Sequence, residues 1–160
     1  MRTISLALVL LATTATGVFG VSGSATLTGR ATLAATHCGR GHQSFTADVQ
    51  VHDDGTWSGQ GSITASGTYV AVGRSGRRFL FDFDDTSRAT LFAALEADAS
   101  ALCRLPVTIT GGTRKAFAVV LNRKTTRMTL TVRYRVTGTA AGNPGHATFQ
   151  VHAKGPWTPG

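Results

Sequence analysis

The sequence predicts a mainly β protein: an antiparallel up-and-down meander of about nine strands that closes into a barrel, with one α-helix inserted around residues 86–102. Apolar and polar residues alternate in short runs along the chain, which is the period of a strand with one buried face. Turn signals such as Asp54-Gly55 and Ser75-Gly76 separate the runs, so sequence neighbours are expected to pair. The 19 glycines allow strong curvature, which favours a barrel over the alternative, a β-sandwich.

The first half of the chain contains five predicted strands, at residues 25–36, 44–53, 56–64, 67–73 and 78–83. In the last of them Phe79, Phe81 and Phe83 alternate with polar or smaller residues, which is typical of a strand with one apolar face. Ser66-Gly67 is expected to break the chain between the third and fourth strands.

The single predicted helix separates these strands from the second half of the chain. Its apolar residues recur at helical spacing, and Asp85, Thr86 or Ser87 can cap its start. Strands are then predicted to follow at 106–110, 114–124, 126–137 and 146–154, with a turn at Gly111-Gly112 and another over residues 138–145.

The N-terminus has the pattern of a secretory signal peptide. Residues 4–12 form an apolar run that is far shorter than the ~20 residues of a membrane-spanning helix, and no second such run follows. Cleavage is expected after Gly20, with Gly17 and Ala25 as alternatives. The sequence therefore predicts a signal peptide at 1–20 and one barrel domain at 21–160, in a protein that is exported to the periplasm or the extracellular space and is not transmembrane.

The two cysteines, Cys38 and Cys103, are expected to form a disulfide, because exported proteins with an even cysteine count usually pair them. Closing a loop of this length stabilises the fold by roughly 4 kcal/mol on the loop-entropy model. A metal-binding thiol pair, with His37 and His42 nearby, is the alternative, and the absence of a C-x-x-C spacing argues against it.

The net charge of +8 is unevenly distributed. All eight acidic residues lie between Asp48 and Asp98. Every Asp, Glu, Lys or Arg after Asp98 is a Lys or Arg, so the C-terminal half is expected to present a positive surface. Its predicted anion-binding residues are Arg123, Lys124, Arg127, Arg133 and Arg135. Tyr134 is expected to face inward, and no aromatic side chain is expected on the outward face with them, so contact with phosphate or carboxylate groups, without specific nucleic-acid recognition, is expected. The alternative is that these charges only keep the sheet soluble.

The inward aromatic residues are the candidates for binding a small apolar ligand inside the barrel: Trp57, Tyr69, Phe81, Tyr134 and Phe149. An eight-stranded barrel is either packed solid or holds one small ligand. A cavity larger than ~300 Å³ would favour binding, and a solid interior would exclude it.

Catalytic and metal motifs are weak in this sequence. It contains no G-x-S-x-G nucleophile motif, and Gly39-Arg40-Gly41 does not complete a dinucleotide fingerprint. Asp82, Asp84 and Asp85 could hold calcium with Asp53 and Asp54, but turn and capping roles explain the same residues. We therefore expect no catalytic residues, no metal and no cofactor.

Two short motifs, Gly55-Thr56-Trp57 and Gly67-Thr68-Tyr69, resemble pieces of avidin-type strands. Together with the strand count they resemble the calycin group of small exported barrels, which includes lipocalins and avidins. The resemblance implies the barrel shape. It does not imply biotin binding, because no tryptophan lies between Trp57 and Trp157.

The leading interpretation is an exported, non-enzymatic ligand-binding barrel. Its ligand would be a small apolar molecule inside the barrel, or an anionic polymer or lipid headgroup on the basic face. A structural or envelope-interaction protein with a packed core is the second interpretation, and a hydrolase is the third.

Overall fold

A computed structural model describes residues 21–160, which form a closed barrel of eight antiparallel strands with one helix. The predicted signal peptide lies outside the described residues. The elements are β1 (Gly23–Ala35), β2 (Gly39–Val51), β3 (Thr56–Gly61), β4 (Thr64–Val72), β5 (Arg78–Phe83), α1 (Asp85–Cys103), β6 (Val107–Asn122), β7 (Arg127–Ala140) and β8 (Asn143–Pro159). Every strand pairs with its sequence neighbour, and β8 pairs with β1. The predicted meander barrel with one helix is confirmed.

The strand count is eight rather than nine, because the predicted turn at Gly111 and Gly112 is wrong. Both glycines lie inside β6, which runs continuously beside β7 with two register shifts, one of them between Ile109 and Gly111. A Cβ added at Gly112 would lie 2.7 Å from a ring carbon of Phe92 on α1. The glycine therefore lets α1 pack closely on β6. In the sequence, a glycine needed for such packing looks the same as a glycine needed for a turn.

Of the glycines predicted to lie in turns between strands, Gly55 and Gly76 do so and Gly67 does not. Gly55 and Gly76 have φ values of 87° and 56°, as their predicted turns require. The predicted break at Gly67 is wrong, since that residue lies within β4 and the turn falls at residues 62–63. A Cβ at Gly67 would come within 1.7 Å of the carbonyl oxygen of Asp82 on the paired strand β5, so only glycine allows the backbones of β4 and β5 to approach this closely.

The helix α1 lies across one end of the barrel, which we call the helix end. The carboxylate of Asp84 accepts a hydrogen bond from the backbone N–H of Ser87 at 2.7 Å, so Asp84 is the N-cap and the three predicted capping residues lie one or more positions too late. Hydrogen bonds from Ser66 and Ser87 lower the pKa of Asp84, which keeps the cap charged. Leu91, Leu95 and Ala99 form the buried side of the helix.

The C-terminal half of α1 is fixed to the barrel at two places. The predicted disulfide is confirmed: Cys38 in the β1–β2 turn and Cys103 at the end of α1 are bonded, with their Cα atoms 4.7 Å apart. On the other side, Glu96 accepts a hydrogen bond from the backbone N–H of Ile109 at 2.7 Å. The helix is therefore held to both the β1–β2 turn and β6, and it covers the barrel interior.

The opposite end, which we call the far end, contains the β2–β3, β4–β5 and β6–β7 turns. It is closed by side chains. The buried hydroxyl of Tyr69 donates a hydrogen bond to the carbonyl of His52 and lies 3.0 Å from that of Val21, and Trp157 is buried near the end of β8. Access to the interior must therefore come from the helix end. Within residues 21–160, α1 does not have the length and apolar character that crossing a bilayer requires.

Candidate ligand-binding cavity and basic surfaces

A cavity of about 130 Å³ lies in the barrel interior beneath α1. Its walls come from all eight strands and the helix, and they are mainly apolar. Trp57, Phe81 and Phe117 form one wall, and Leu91 and Leu95 project from the helix on another. Such a site can hold an apolar molecule by removing its surface from water.

The mouth of the cavity results from unequal strand lengths. β2 has 13 residues and β3 has only 6, and their pairing ends at Ala47 and Gly61. Residues 39–46 of β2 therefore have no partner on the β3 side, and the gap opens toward α1. Polar side chains surround this gap: Gln43, Gln60, Ser62 and Asp98. The arrangement is an apolar chamber with a polar entrance.

A second depression of about 210 Å³ adjoins the first, between α1 and the β1–β2 hairpin. The two spaces share the residues Ala31, Gln43, Asp98 and Phe149. The outer depression also contains His42, whose ring lies 3.0 Å from the hydroxyl of Thr32. We call this outer space the vestibule. Its polar groups can contact the polar part of a molecule whose apolar part is in the cavity.

The structure places the five predicted ligand-binding residues inside the barrel, but at different depths. Trp57, Phe81 and Phe149 line the cavity. Tyr69 does not, because it points to the far end, where its hydroxyl is bonded to the backbone. Tyr134 is also buried away from the cavity, and this burial raises the pKa of its hydroxyl.

Trp57 is the centre of the aromatic cluster that forms the cavity wall. Its ring centroid lies 5.2 Å from that of Phe81, 5.6 Å from that of Phe83 and 5.4 Å from that of Phe117. Its indole N–H donates to the carbonyl of Asp82 at 3.0 Å, so the polar atom of the ring is satisfied. The cluster gives the cavity a fixed aromatic side.

Other lining residues were absent from the predicted site, namely Phe45, Ile63, Leu91, Leu95 and Met128. The helical residues could have been identified, because the apolar face of a single helix in a barrel protein must cover an opening or an outer wall. Phe45 and Ile63 required knowledge that β3 ends at Gly61, which no local pattern indicates.

Four of the five acidic residues considered for calcium, all except Asp53, have other partners; Asp85 pairs with Arg88 at 3.3 Å. Asp82 forms an ion pair with Arg114 at 3.0 Å, and Asp84 caps α1. Asp54 accepts hydrogen bonds from the backbone and hydroxyl of Thr56 in the far-end turn, which lower its pKa. In the part of the chain that the structure describes, no three His, Cys, Asp or Glu side chains are grouped as a metal site requires.

Comparison with known proteins gives no relatives: no family model, no curated protein and no solved structure matches this chain. The resemblance to calycins therefore stays a prediction. The functional argument depends on the geometry of the cavity and of the charged surfaces.

The five predicted anion-binding residues separate into two groups. Arg133 and Arg135 are exposed on β7, opposite Gln150 and Thr148 of β8, so the expected pairing of these two strands is present. Arg127 starts β7 at the far end, six residues and about 20 Å from Arg133 at ~3.3 Å per residue.

The two remaining residues, Arg123 and Lys124, lie in the β6–β7 turn beside Arg127. That turn is at the far end, whereas β7 and β8 are joined at the helix end. The predicted patch is therefore two surfaces, one on the outer face of β7 and one at the far end.

Replacing Arg133 and Arg135 by glutamate is expected to lower the salt concentration at which the protein elutes from heparin. Both side chains point to solvent, so the fold should be unchanged, and contacts with anions weaken when cations are removed. Elution on a salt gradient measures the effect, with Thr129→Glu and Thr131→Glu on the same strand as the control for added negative charge. An elution position unchanged from the native protein would show that these arginines only solvate the sheet.

Proposed function

We propose that this protein is an exported, non-enzymatic binding protein that holds a small apolar molecule in the cavity beneath α1. One observation carries the proposal: the barrel interior contains an apolar space of about 130 Å³ with a polar entrance. The disulfide and the apolar run at residues 4–12 support export, since stable disulfides belong to oxidising compartments.

The volume limits the size of the ligand. It is below the ~300 Å³ that we set as favouring a typical ligand site, yet the interior is not solid. An engineered cavity of about 150 Å³ binds benzene, so a single apolar ring fits a space of this size. A polar substituent on that ring would extend into the vestibule, beside Gln43 and Asp98. The ligand class is therefore a small aromatic or branched aliphatic molecule with one polar end.

Energetics favour this function over that of a structural barrel with a packed core. An empty closed cavity destabilises a protein by about 24 cal/mol per Å³, so roughly 3 kcal/mol is the upper limit of the cost for this volume, which has an open mouth. A structural protein would gain by filling the space with larger side chains, and Ala65 and Ala94 on the lining leave room for them. A bound ligand offsets the same cost.

Bromobenzene tests the proposal, because a heavy atom in contact with an indole ring quenches its fluorescence. In a Trp157→Phe background Trp57 is the sole tryptophan, and it lines the cavity. We expect saturable quenching. Ala65→Leu or Ala94→Leu should fill the space and weaken binding at least tenfold.

The matched control is Ala93→Leu, which makes the same change on the exposed side of α1 and should leave binding intact. Quenching that rises linearly without saturation, or that is equal in the filled variants and the control, would contradict the proposal. If the quenching saturates as expected, mass spectrometry of molecules that co-purify with the native protein would identify the natural ligand class.

A further inference from the structure

The outer face of the barrel contains an apolar area at the far end, on β4, β5 and β6. Cross-strand pairing places Val70, Leu80 and Ala118 in one row, and Val72 and Val120 on either side of Arg78 in the next. Val70 is 59% exposed and Val120 is 43% exposed, which is high for large apolar side chains. We call these five apolar residues, Val70, Val72, Leu80, Ala118 and Val120, the apolar patch.

Basic residues border the apolar patch at the far end. The β4–β5 turn and the start of β5 contribute three arginines, and the adjacent β6–β7 turn contributes two more cations. A hydrogen bond of 2.8 Å from the backbone N–H of Leu121 to the carbonyl of Arg77 joins the end of β6, where the β6–β7 turn begins, to the β4–β5 turn. We call this set, which consists of Arg74, Arg77, Arg78, Arg123 and Lys124, the basic rim.

The basic rim has no carboxylate partner within residues 21–160, where the ion pairs involve only Arg88 and Arg114. Asp82 lies on the same face of β5 as Arg78, but it is engaged by those two arginines. The carboxylate of Asp54 at the far end is bonded to Thr56. The far end of β4–β6 is therefore a surface with exposed positive charge next to exposed apolar groups.

We propose that the apolar patch and the basic rim dock this protein on the surface of an anionic phospholipid bilayer. Apolar side chains that enter the headgroup boundary and cations that contact anionic lipids are the two contributions to interfacial binding. A second copy of the chain is a poor occupant, because the basic rims would meet as like charges. A soluble polyanion would use the cations and leave the valines exposed to water.

Sedimentation with vesicles tests this docking surface. The vesicles contain either phosphatidylcholine alone or phosphatidylcholine with 30 mol% phosphatidylserine, the composition chosen to supply negative charge. We expect binding only to the anionic vesicles. Arg77→Glu with Arg78→Glu should lower the partition coefficient at least about thirtyfold, at roughly 1 kcal/mol for each of the two cations lost near the surface.

The control is Arg133→Glu with Arg135→Glu, which makes the same change in net charge on the outer face of β7 and should reduce vesicle binding less than threefold. Equal losses in the two double variants would overturn the proposal, since they would show attraction by net charge alone.

A second pair of variants separates the bilayer from other occupants. Val70→Ser with Val120→Ser should lower vesicle partitioning at least threefold and leave heparin elution unchanged. Unchanged vesicle binding in this variant would overturn the proposal in favour of a soluble polyanion. A native protein that sediments as a dimer, and becomes monomeric with the serine substitutions, would overturn it in favour of self-association. Circular dichroism and thermal denaturation confirm that each variant is folded.

Discussion

Replacing Cys38 and Cys103 by serine is expected to lower the free energy of unfolding by about 4 kcal/mol. The bond joins residues 65 positions apart, and the loop-entropy model gives this magnitude for the conformational freedom that the unfolded chain regains. The substitution also releases the end of α1 from the β1–β2 turn. Urea denaturation measures the effect, with the slope fitted separately for each protein because the unfolded chain is less compact without the bond.

The native protein under reducing conditions is the control, and it should have the same midpoint as the double serine variant. Mass measurement with an alkylating reagent should find no free thiol before reduction. A stability loss below about 1 kcal/mol would contradict the prediction and would indicate that the unfolded chain stays compact without the bond.

The barrel could be predicted because its main signal is local. A strand with one buried face alternates every second residue, and β7 alternates from Met128 to Val136 with each inward residue buried. Helical spacing identified α1 in the same way, with bounds of 86–102 predicted and Asp85–Cys103 observed. The disulfide was predicted from the even cysteine count and the expected export, without any knowledge of distance.

Glycines were the main source of error, since a glycine has several structural uses. Gly55 supplies a positive φ in a turn, which the neighbouring Asp54 indicates. Gly67 and Gly112 instead allow a close approach of another element, and that approach depends on residues far away in the sequence. A local pattern cannot distinguish the two uses.

The candidate site was only partly predictable for a related reason. Alternation determines which face of a strand is inward but not how far along the barrel a residue lies. Trp57 and Tyr69 both face inward, yet one lines the cavity and the other closes the far end. Arg127 and Arg133 both belong to β7 but lie in different surfaces. Depth depends on the register between strands, which only the structure provides.

Trp57→Ala is expected to lower the free energy of unfolding by roughly 3–5 kcal/mol, the range for removing a buried large aromatic side chain. The ring is buried and contacts Phe81, Phe83 and Phe117. Its loss also leaves the carbonyl of Asp82 without the indole donor. Thermal or urea denaturation measures the change, with Trp57→Phe as the conservative control that keeps an aromatic ring in the cluster and should lose about half as much.

Added indole should stabilise the Trp57→Ala variant, because the removed side chain leaves a space of the shape of indole that is continuous with the existing cavity. We expect indole to raise the midpoint of Trp57→Ala in proportion to the logarithm of its concentration once the site is saturated, as for any ligand that binds only the folded state. Trp57→Phe should respond much less, since its phenyl ring occupies most of the space. A midpoint that indole leaves unchanged in both variants would mean that the barrel collapses around the missing ring, and that the cavity wall is not rigid enough to select a ligand by shape.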